Sequence, residues 1–236
     1  MIDQKHTIVI GDIHGREIWR KILKDYSGEQ VVVFMGDYFD TFEFITTQQQ
    51  VKNFRSILAL KMKYPDKVKL LIGNHDYHYL LGTFARYSGH QTMNAAEITA
   101  VLEPNLMLMQ MCYVDGFRVF THAGVTKTWC KNNNIDVNGD LEKQINELFK
   151  NNRKSFGFCI GAIDQTGDDP IQSPIWVRPG SLLEDAVEDK TMIVGHTQVD
   201  KPRIKPPVVM VDTLATGYFV EIFNNTLRLR NVSDHQ

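Results

Sequence analysis

Five short polar motifs hold most of the side chains in this 236-residue sequence that could do chemistry. They are Gly11-Asp12-Ile13-His14-Gly15, Gly36-Asp37-Tyr38-Phe39-Asp40, Gly73-Asn74-His75-Asp76, Thr121-His122-Ala123-Gly124 and Gly195-His196-Thr197. Carboxylate and imidazole groups suit divalent ions such as Mn²⁺, Zn²⁺ and Fe²⁺. A carboxylate can bridge two ions about 3.5–4 Å apart, and such a pair lowers the pKa of bound water toward ~7 and shields phosphate oxygens. The motifs therefore predict a two-ion site suited to phosphoester hydrolysis.

Each motif follows an apolar run that predicts a buried strand. These runs are Ile8 to Ile10, Val31 to Met35, Lys69 to Ile72, Phe117 to Phe120 and Met192 to Val194. Open α/β sheets bind ligands at the carboxyl ends of their strands. The five motifs are therefore expected to converge on one edge.

The candidate ligands divide between two ions. Asp12 and His14 are expected to share the first ion, because both can turn toward it where the chain leaves the strand at Gly15. Asp37 is the candidate bridge between the ions. The candidates for the second ion come from three different strands and are Asn74, His122 and His196.

The motif series resembles the calcineurin-like metallophosphoesterases, and most closely their phosphoprotein phosphatase branch. The resemblance runs from Asp12 to His196, and five motifs in order are far more specific than any one alone. It implies a mixed α/β (α+β) fold in which a sandwich of two mixed β-sheets is flanked by helices, in four layers α/β/β/α. A single domain over residues 1–236 and two divalent ions are expected, with Mn²⁺ as the first choice and iron or Zn²⁺ as alternatives.

The resemblance also implies roles for His75 and Asp40. His75 would be the general acid that protonates the leaving oxygen, and Asp40 would pair with His75 and orient its ring. Physical chemistry agrees with this, because an imidazole beside a carboxylate is held in one tautomer and has a raised pKa. Such a ring carries a proton near neutral pH.

The last motif favours phosphatases over phosphodiesterases. Many diesterases of the superfamily have a second His two residues after the first, whereas this sequence has Gln198. Two arginines that are usual in the phosphatase branch are replaced by Thr41 and Ile72, which cannot grip phosphate as a planar guanidinium does. A protein phosphoserine or phosphothreonine phosphatase is expected. The alternatives are a diadenosine-tetraphosphatase-like nucleotide phosphohydrolase or phosphodiesterase and, more remotely, a non-catalytic binding module.

Two further residues are candidates by resemblance. Arg178 lies in a Trp-x-Arg stretch, Trp176 to Arg178, like that of the smaller bacterial and phage-type phosphatases, where the Arg faces the phosphate. The alternative places Trp176 under a Pro-rich loop and Arg178 in solvent. Asp212 is expected either to accept a hydrogen bond from His122 or His196 or to begin a turn.

Composition indicates a globular enzyme without an extended nucleic-acid surface. The formal charge is −2, whereas such a surface is normally strongly basic. No apolar stretch approaches the ~20 residues of a membrane helix, and residues 1–5 do not resemble a signal peptide. A cytoplasmic protein that does not bind membranes is expected. The oligomeric state is not indicated.

Hydrophobic periodicity predicts helices around the strands. The expected helices run from Ile18 to Tyr26, from Thr46 to Lys63 with Met62 inward, from Tyr77 to Phe84, from Asn94 to Leu102 behind a capping box, and from an Asp140 cap through Leu141, Ile145, Leu148 and Phe149. Strands are expected at Val208 to Val211, Tyr218 to Phe223 and Leu227 to Leu229. Residues 77–110 and 126–190 are expected to form insertions over the rim of the site.

Overall fold

The computed structural model describes residues 6–83, 87–160 and 167–235. Within these ranges the strands are β1 (His6–Ile10), β2 (Val31–Phe34), β3 (Val68–Leu70), β4 (Tyr113–Asp115), β5 (Arg118–Phe120), β6 (Thr191–Val194), β7 (Arg203–Lys205), β8 (Val208–Met210), β9 (Tyr218–Phe223) and β10 (Thr226–Asn231). The α-helices are α1 (Trp19–Ile22), α2 (Thr47–Lys63), α3 (Asn74–Tyr77), α4 (Ala95–Leu102), α5 (Lys127–Asn132), α6 (Leu141–Asn151) and α7 (Pro179–Asp185).

The strands form two five-stranded sheets. Their orders are β10-β9-β1-β2-β3 and β4-β5-β6-β8-β7. Strands β1, β2 and β3 are parallel, as are β5, β6 and β8, whereas the remaining pairings are antiparallel. Each sheet is therefore mixed. The parallel strands of each sheet end at one edge, and the polar motifs follow those ends.

Side-chain alternation along the strands divides the core into two layers of contact. One buried cluster joins both sheets and includes Val9, Val33, Phe120, Ile193 and Val209. The opposite faces belong to the larger cluster and pack on helices, as Phe34 does edge-on against Trp19 of α1 at 5.8 Å. Because successive strand residues point to opposite faces, a strand buried on both faces is apolar throughout. The expected sandwich of two mixed sheets flanked by helices is confirmed.

The strand predictions agree with the structure to within two residues at most ends. Strands β9 and β10 are joined by a two-residue turn at Asn224 and Asn225, since the ladder pairs Phe223 with Thr226. Both asparagines have positive φ, of 46° and 68°, as a two-residue hairpin of this hand requires. Strands β4 and β7 were not predicted, because the residues of β4 are only half-buried and those of β7 are exposed, so neither strand forms a buried apolar run.

Two predicted helices are shorter in the structure than expected. Helix α1 ends at Ile22 rather than Tyr26, and Tyr26 N–H donates instead to Leu23 O, three residues back, in a turn. The helix expected from Tyr77 to Phe84 is the four-residue α3, followed by turns to Gly82, which has φ of +83°. Phe84 lies outside the described residues.

Helix α2 was predicted correctly in extent but not at its last turn. Met62 is 61% exposed rather than inward. At the C-terminal end of α2, the ammonium of Lys61 donates to the carbonyls of the following segment, Pro65 O at 2.6 Å and Val68 O at 2.8 Å. The helix begins with a capping box in which Thr46 and Gln49 exchange hydrogen bonds.

The two remaining caps had different outcomes. Asp140 caps α6 by accepting a hydrogen bond from Lys143 N at 3.0 Å, and Leu141, Ile145 and Phe149 are buried, as predicted. Asn94 does not form the expected capping box at α4, although that helix does end at Leu102. Its amide donates to Thr47 Oγ1 at 2.8 Å, which ties the start of α4 to α2.

No helix in residues 6–83, 87–160 or 167–235 is long and apolar enough to cross a membrane.

Candidate metal centre

The loops that follow the strands are held together by their own backbone. The amides of Ile13, His14 and Gly15 donate in sequence to the carbonyls of residues 36–38. Gly195 N–H donates to His122 O across the second sheet. The motifs that lie far apart in sequence are thereby brought to one edge, as expected from their positions after parallel strands.

Side chains also serve as cross-links between these loops. An oxygen of Asp12, Oδ2, accepts from His196 N at 2.9 Å, and Asp37 Oδ1 accepts from His75 N at 2.9 Å. Gly195 and Gly73 are required by these contacts, since a Cβ at either position would overlap Asp12 Oδ1 or Asp37 Oδ1. The glycines of the last and third motifs therefore make room for carboxylates.

Several site residues have backbone conformations that are rare for non-glycine residues. His14, Asp37, Asp40 and His196 have φ between 44° and 61°. Such left-handed conformations are uncommon outside glycine, and they concentrate at functional sites where the surrounding structure enforces them. Here they turn each side chain toward the common edge.

The first group of candidate ligands is Asp12, His14 and Asp37. One potential ligand atom from each lies within 4.8 Å of the other two. The Nδ1 atom of His14 is 2.5 Å from Asp40 O, which fixes the proton on Nδ1 because a carbonyl can only accept. The other ring nitrogen, Nε2, is then an acceptor 3.7 Å from Asp37 Oδ2.

The second group surrounds the amide oxygen of Asn74. This Oδ1 lies 3.0 Å from His122 Nε2 and 2.9 Å from His196 Nδ1. Asp37 Oδ2 lies 3.4 Å from the same His122 nitrogen. Asp37 is thus the residue that adjoins both groups.

These donors fit divalent ions. His122 Nδ1 is 2.8 Å from Met35 O, so the neutral ring carries its proton there and turns a lone pair toward two oxygens that also only accept. Metal-binding imidazoles commonly donate their other N–H to a backbone carbonyl in this way. Asp12 Oδ1 is buried with no hydrogen-bond partner among the described residues. A cation would satisfy each of these atoms.

The pKa values of the buried carboxylates also indicate that this cluster favours a cation. Burial and the nearby charges of Asp212 and Asp37 hold the pKa of Asp12 well above its usual range. Burial also raises the pKa of Asp37, but the neighbouring imidazoles of His122, His75 and His14 outweigh it and hold that pKa well below normal. A cluster of this kind favours positive charge among its oxygens.

Asp40 is the centre of a hydrogen-bond network. Its Oδ2 accepts from His75 Nδ1 at 2.9 Å and His78 Nε2 at 2.7 Å, and its Oδ1 accepts from Tyr79 OH at 2.5 Å and Gln91 Nε2 at 3.0 Å. Burial would raise the pKa of Asp40, but these bonds lower it to about 2. The carboxylate is therefore ionised and fixed in direction.

His75 is the ring this network presents to the metal centre. Burial alone would lower the pKa of His75, but Asp37 and Asp40 outweigh it and raise the pKa to about 9. With Nδ1 directed at Asp40, the remaining nitrogen Nε2 is available as a donor. The ring of His14 packs edge-on at 5.4 Å.

Asp76 does more than cap the short helix. It accepts from Gly73 N at 2.9 Å, as expected of a cap, and also from Asp37 N at 2.8 Å and Tyr38 N at 2.7 Å. One side chain thus joins the second and third motifs. Burial and the charge of Asp37 raise the pKa of Asp76 to about 7.

Arg178 lies at the site rather than free in solvent. Its Nη1 donates to His196 O and to Thr197 Oγ1, both at 3.2 Å. Burial lowers the pKa of this guanidinium, while the charges of Asp37 and Asp12 oppose that effect. Trp176 is buried and packs edge-on against the His196 ring at 5.7 Å.

Of the two roles expected of Asp212, the hydrogen bond with His122 or His196 is not formed among the described residues. His122 Nδ1 lies against Met35 O and His196 Nδ1 against Asn74 Oδ1, while His196 Nε2 has no hydrogen-bond partner there. Burial raises the pKa of Asp212, while the charge of His14 opposes this. Its influence falls on the Asp12 and His14 side of the centre.

Thr41 and Ile72, which stand where the phosphatase branch usually has arginines, have uncharged side chains. Thr41 Oγ1 accepts from Glu43 N at 3.0 Å, and Ile72 is buried. Gln198 is exposed.

The fold is a mixed α/β sandwich, and two groups of oxygen and nitrogen donors lie at one edge of its sheets. This arrangement is a candidate site for two metal ions. The chain belongs to the calcineurin-like phosphoesterase family, whose model matches residues 5–202. Members of this family are dinuclear metal-dependent phosphoesterases.

Similar proteins include phosphatases. A probable serine/threonine-protein phosphatase of Encephalitozoon cuniculi (strain GB-M1) is 24% identical over 151 residues, which are 61% of this chain and 32% of that protein. The chain thus covers about a third of that relative. A cold-active protein tyrosine phosphatase has a TM-score of 0.66 at 18% identity, covering 97% of this chain and 78% of that one.

A second solved structure has the same fold. It is a protein serine/threonine phosphatase from Saccharomyces cerevisiae with similarity to human phosphatase PP5. Its TM-score is 0.61 at 11% identity, and the comparison covers 97% of this chain and 80% of that one.

Proposed function

We propose that the protein is a phosphomonoesterase that hydrolyses phosphoserine or phosphothreonine in proteins and uses two divalent ions, with Mn²⁺ the expected metal. The observation that carries this proposal is the pairing of His75 with Asp40 at the edge of both ligand groups. A monoester with an alkyl leaving group needs a proton on the departing oxygen, and His75 is held where it can supply one.

The ligands divide as the geometry groups them. Asp12, His14 and Asp37 would hold one ion, and Asp37, Asn74, His122 and His196 would hold the other. When bound, the ions supply positive charge that lowers the pKa of a water and neutralises phosphate oxygens. Arg178, beside His196, would add hydrogen bonds to those oxygens.

A monoester rather than a diester is favoured by two side chains. Gln198 is exposed and contributes no imidazole to the Asp12 and His14 group. Arg178 adds a positive charge next to the centre, and the doubly charged phosphate of a monoester benefits more from it than the singly charged phosphate of a diester.

A nucleotide phosphohydrolase is the second candidate. It is favoured by the uncharged side chains of Thr41 and Ile72, since a substrate bound through other groups needs fewer contacts to the reacting phosphate. The protein substrate is supported by the similarity to a probable serine/threonine-protein phosphatase.

A substrate panel with Mn²⁺ tests the proposal. It contains a phosphoserine peptide, a phosphothreonine peptide, a phosphotyrosine peptide, diadenosine tetraphosphate, p-nitrophenyl phosphate and bis(p-nitrophenyl) phosphate. Among the three phosphopeptides and diadenosine tetraphosphate, the highest kcat/KM is expected for the phosphoserine or phosphothreonine peptide. Higher kcat/KM for diadenosine tetraphosphate would replace the proposal by the nucleotide alternative, and bis-ester turnover above that of the monoester would indicate a phosphodiesterase.

A further inference from the structure

A cavity of about 490 Å³ opens beside the metal centre. It begins at Gly15, the residue directly after the candidate ligand His14. Three segments form its walls, and they are residues 15–18, residues from 43 to 52, and residues 214–215. We call it the Gly15 cavity.

The Gly15 cavity has an aliphatic part beside charged and polar wall residues, which are Arg16, Glu17, Glu43, Gln49 and Lys52. Ile18, Ile45 and Leu214 line it, and none of the described residues that line it is aromatic. A nucleobase is usually bound by stacking on an aromatic ring. A pocket of this size with an aliphatic part and a charged rim suits an apolar amino-acid side chain of a peptide better.

The charges around the cavity leave one cation available. Arg16 Nε donates to Glu43 Oε1 at 2.6 Å, and Arg20 pairs with Glu17 at 3.1 Å. Each of these carboxylates is therefore already opposed by a guanidinium. Lys52 is exposed at the cavity wall and forms no ion pair within the part of the chain that the structure describes. It would attract an acidic group.

A short loop connects the Gly15 cavity to Asp40, the carboxylate that pairs with the proposed general acid His75. Residues 41–45 run from Asp40, which holds His75, to Ile45 in the cavity wall. Phe42 is 82% exposed on this loop, and Phe44 is also exposed. Exposed aromatic side chains between a catalytic group and a cavity offer apolar surface to an extended chain.

We propose that the Gly15 cavity binds the polypeptide next to the phosphorylated residue of the substrate. A bulky apolar side chain occupies the cavity, and an acidic side chain beyond it pairs with Lys52. This inference rests on the proposed function, since it specifies which phosphoproteins the same site takes.

Filling the cavity tests the apolar contact. Ala215 is an exposed wall residue in a 3₁₀ turn at residues 214–216, so Ala215→Trp can project into the cavity without disturbing the core. Ala100→Trp is the matched control, because Ala100 is exposed on α4 and does not line the cavity. The substrates are p-nitrophenyl phosphate and phosphoserine peptides that carry Leu or Gly at each of the three positions on either side.

Wild-type protein is expected to prefer Leu over Gly at one of these positions. Ala215→Trp should lower kcat/KM for that Leu peptide on the order of 10-fold or more, which is the worth of burying one apolar side chain. It should leave p-nitrophenyl phosphate unchanged, and Ala100→Trp should leave both unchanged. Equal turnover of all peptides by wild type, or an unaffected Leu peptide in Ala215→Trp, would overturn the inference.

The charge is tested separately with Lys52→Ala. A peptide with Glu next to the preferred Leu should lose its advantage over the same peptide with Gln, and high salt should do the same to wild type. An unchanged Glu preference in Lys52→Ala overturns the assignment of Lys52.

The failure of the proposed function is distinguishable from the failure of the cavity inference. If wild type hydrolyses no phosphopeptide but does hydrolyse diadenosine tetraphosphate, and Ala215→Trp loses that activity, the proposed function fails and the cavity binds a nucleotide. Peptide turnover that Ala215→Trp leaves intact overturns only the cavity inference.

Discussion

Nδ1 of His75 lies 2.9 Å from Oδ2 of Asp40, a carboxylate that holds three further hydrogen bonds. Asp40 cannot rotate without breaking its bonds to His78, Tyr79 and Gln91. These three residues therefore fix the direction of the His75 ring through Asp40. The ring nitrogen that faces away from Asp40 is therefore fixed relative to the ligand groups. An acid held in this way needs no reorganisation when the leaving oxygen departs.

Replacing His75 by Asn should lower kcat by about 10²–10⁴ for alkyl phosphates, the usual worth of a general acid. An activated aryl phosphate should lose much less, because its leaving group departs without a proton. Metal content, measured after dialysis, should equal that of wild type. Equal losses on alkyl and aryl substrates would instead indicate a role in metal binding or folding.

Asp37→Asn should lower the occupancy of both ions. Asp37 Oδ2 adjoins His14 of one group and His122 of the other, so the substitution removes negative charge from both at once. Asp12→Asn is the matched control, since Asp12 belongs to the first group alone. Metal analysis should show a larger deficit in Asp37→Asn. Undiminished two-metal stoichiometry would contradict the bridging role.

Removal of metal should destabilise the protein more at pH 8 than at pH 5. The folded pKa of Asp12 and that of Asp212 are raised, and that of Asp76 is raised to about 7. The stability tied to their protonated forms is therefore lost as pH rises above about 4, and for Asp76 this loss extends to about pH 7. His75, with its pKa raised to about 9, adds a loss between about 6.5 and 9.

One group opposes this trend. Burial and the charge of Arg178 hold the pKa of His196 well below normal, so its contribution is lost as pH falls below about 6.5. The groups with raised pKa outnumber it. Thermal unfolding with and without a chelator should show a gap in Tm that widens by ~5 °C or more toward alkaline pH, where each kcal/mol shifts Tm by ~2–4 °C. A gap independent of pH would mean that these carboxylates do not face the ions.

The strands and the residues after them were predictable because their signals are local. An apolar run followed by a Gly-Asp or Gly-His pair identifies both a buried strand and the polar residue at its end. Parallel pairing then requires those ends to share an edge. Asn74, His122 and His196 could be grouped from sequence for this reason.

The network around Asp40 could not be predicted in the same way. Tyr79 and Gln91 lie 39 and 51 residues from Asp40 and belong to no motif. His78 bonds Asp40 from the turn that follows α3, where the sequence predicted a continuing helix. The bonds from Asp37 N and Tyr38 N to Asp76 have no signal in the sequence either, because nothing there shows that the second motif folds back onto the third.

Arg178 should carry most of the guanidinium contact to the phosphate, since Thr41 and Ile72 offer none. Its Nη1 is held by His196 O and Thr197 Oγ1, which leaves the rest of the planar group for the substrate. Arg178→Ala should lower kcat/KM on the order of 10²-fold, like removal of other donors that stabilise transition-state charge. Arg178→Lys should be nearly as harmful, because an ammonium cannot bond the turn and the phosphate in one plane.

A gain of function completes this test. Thr41→Arg should raise kcat/KM for phosphomonoesters, and should do so most in the Arg178→Ala background, where the site has lost the guanidinium of Arg178. Thr41→Lys is its control for charge without the planar fork. Steady-state kinetics on p-nitrophenyl phosphate and a phosphoserine peptide decide the matter: wild-type kcat/KM in Arg178→Ala would show that this side chain only ties the Trp176 segment to the turn at His196, and that the phosphate is held by the metal centre and His75 alone.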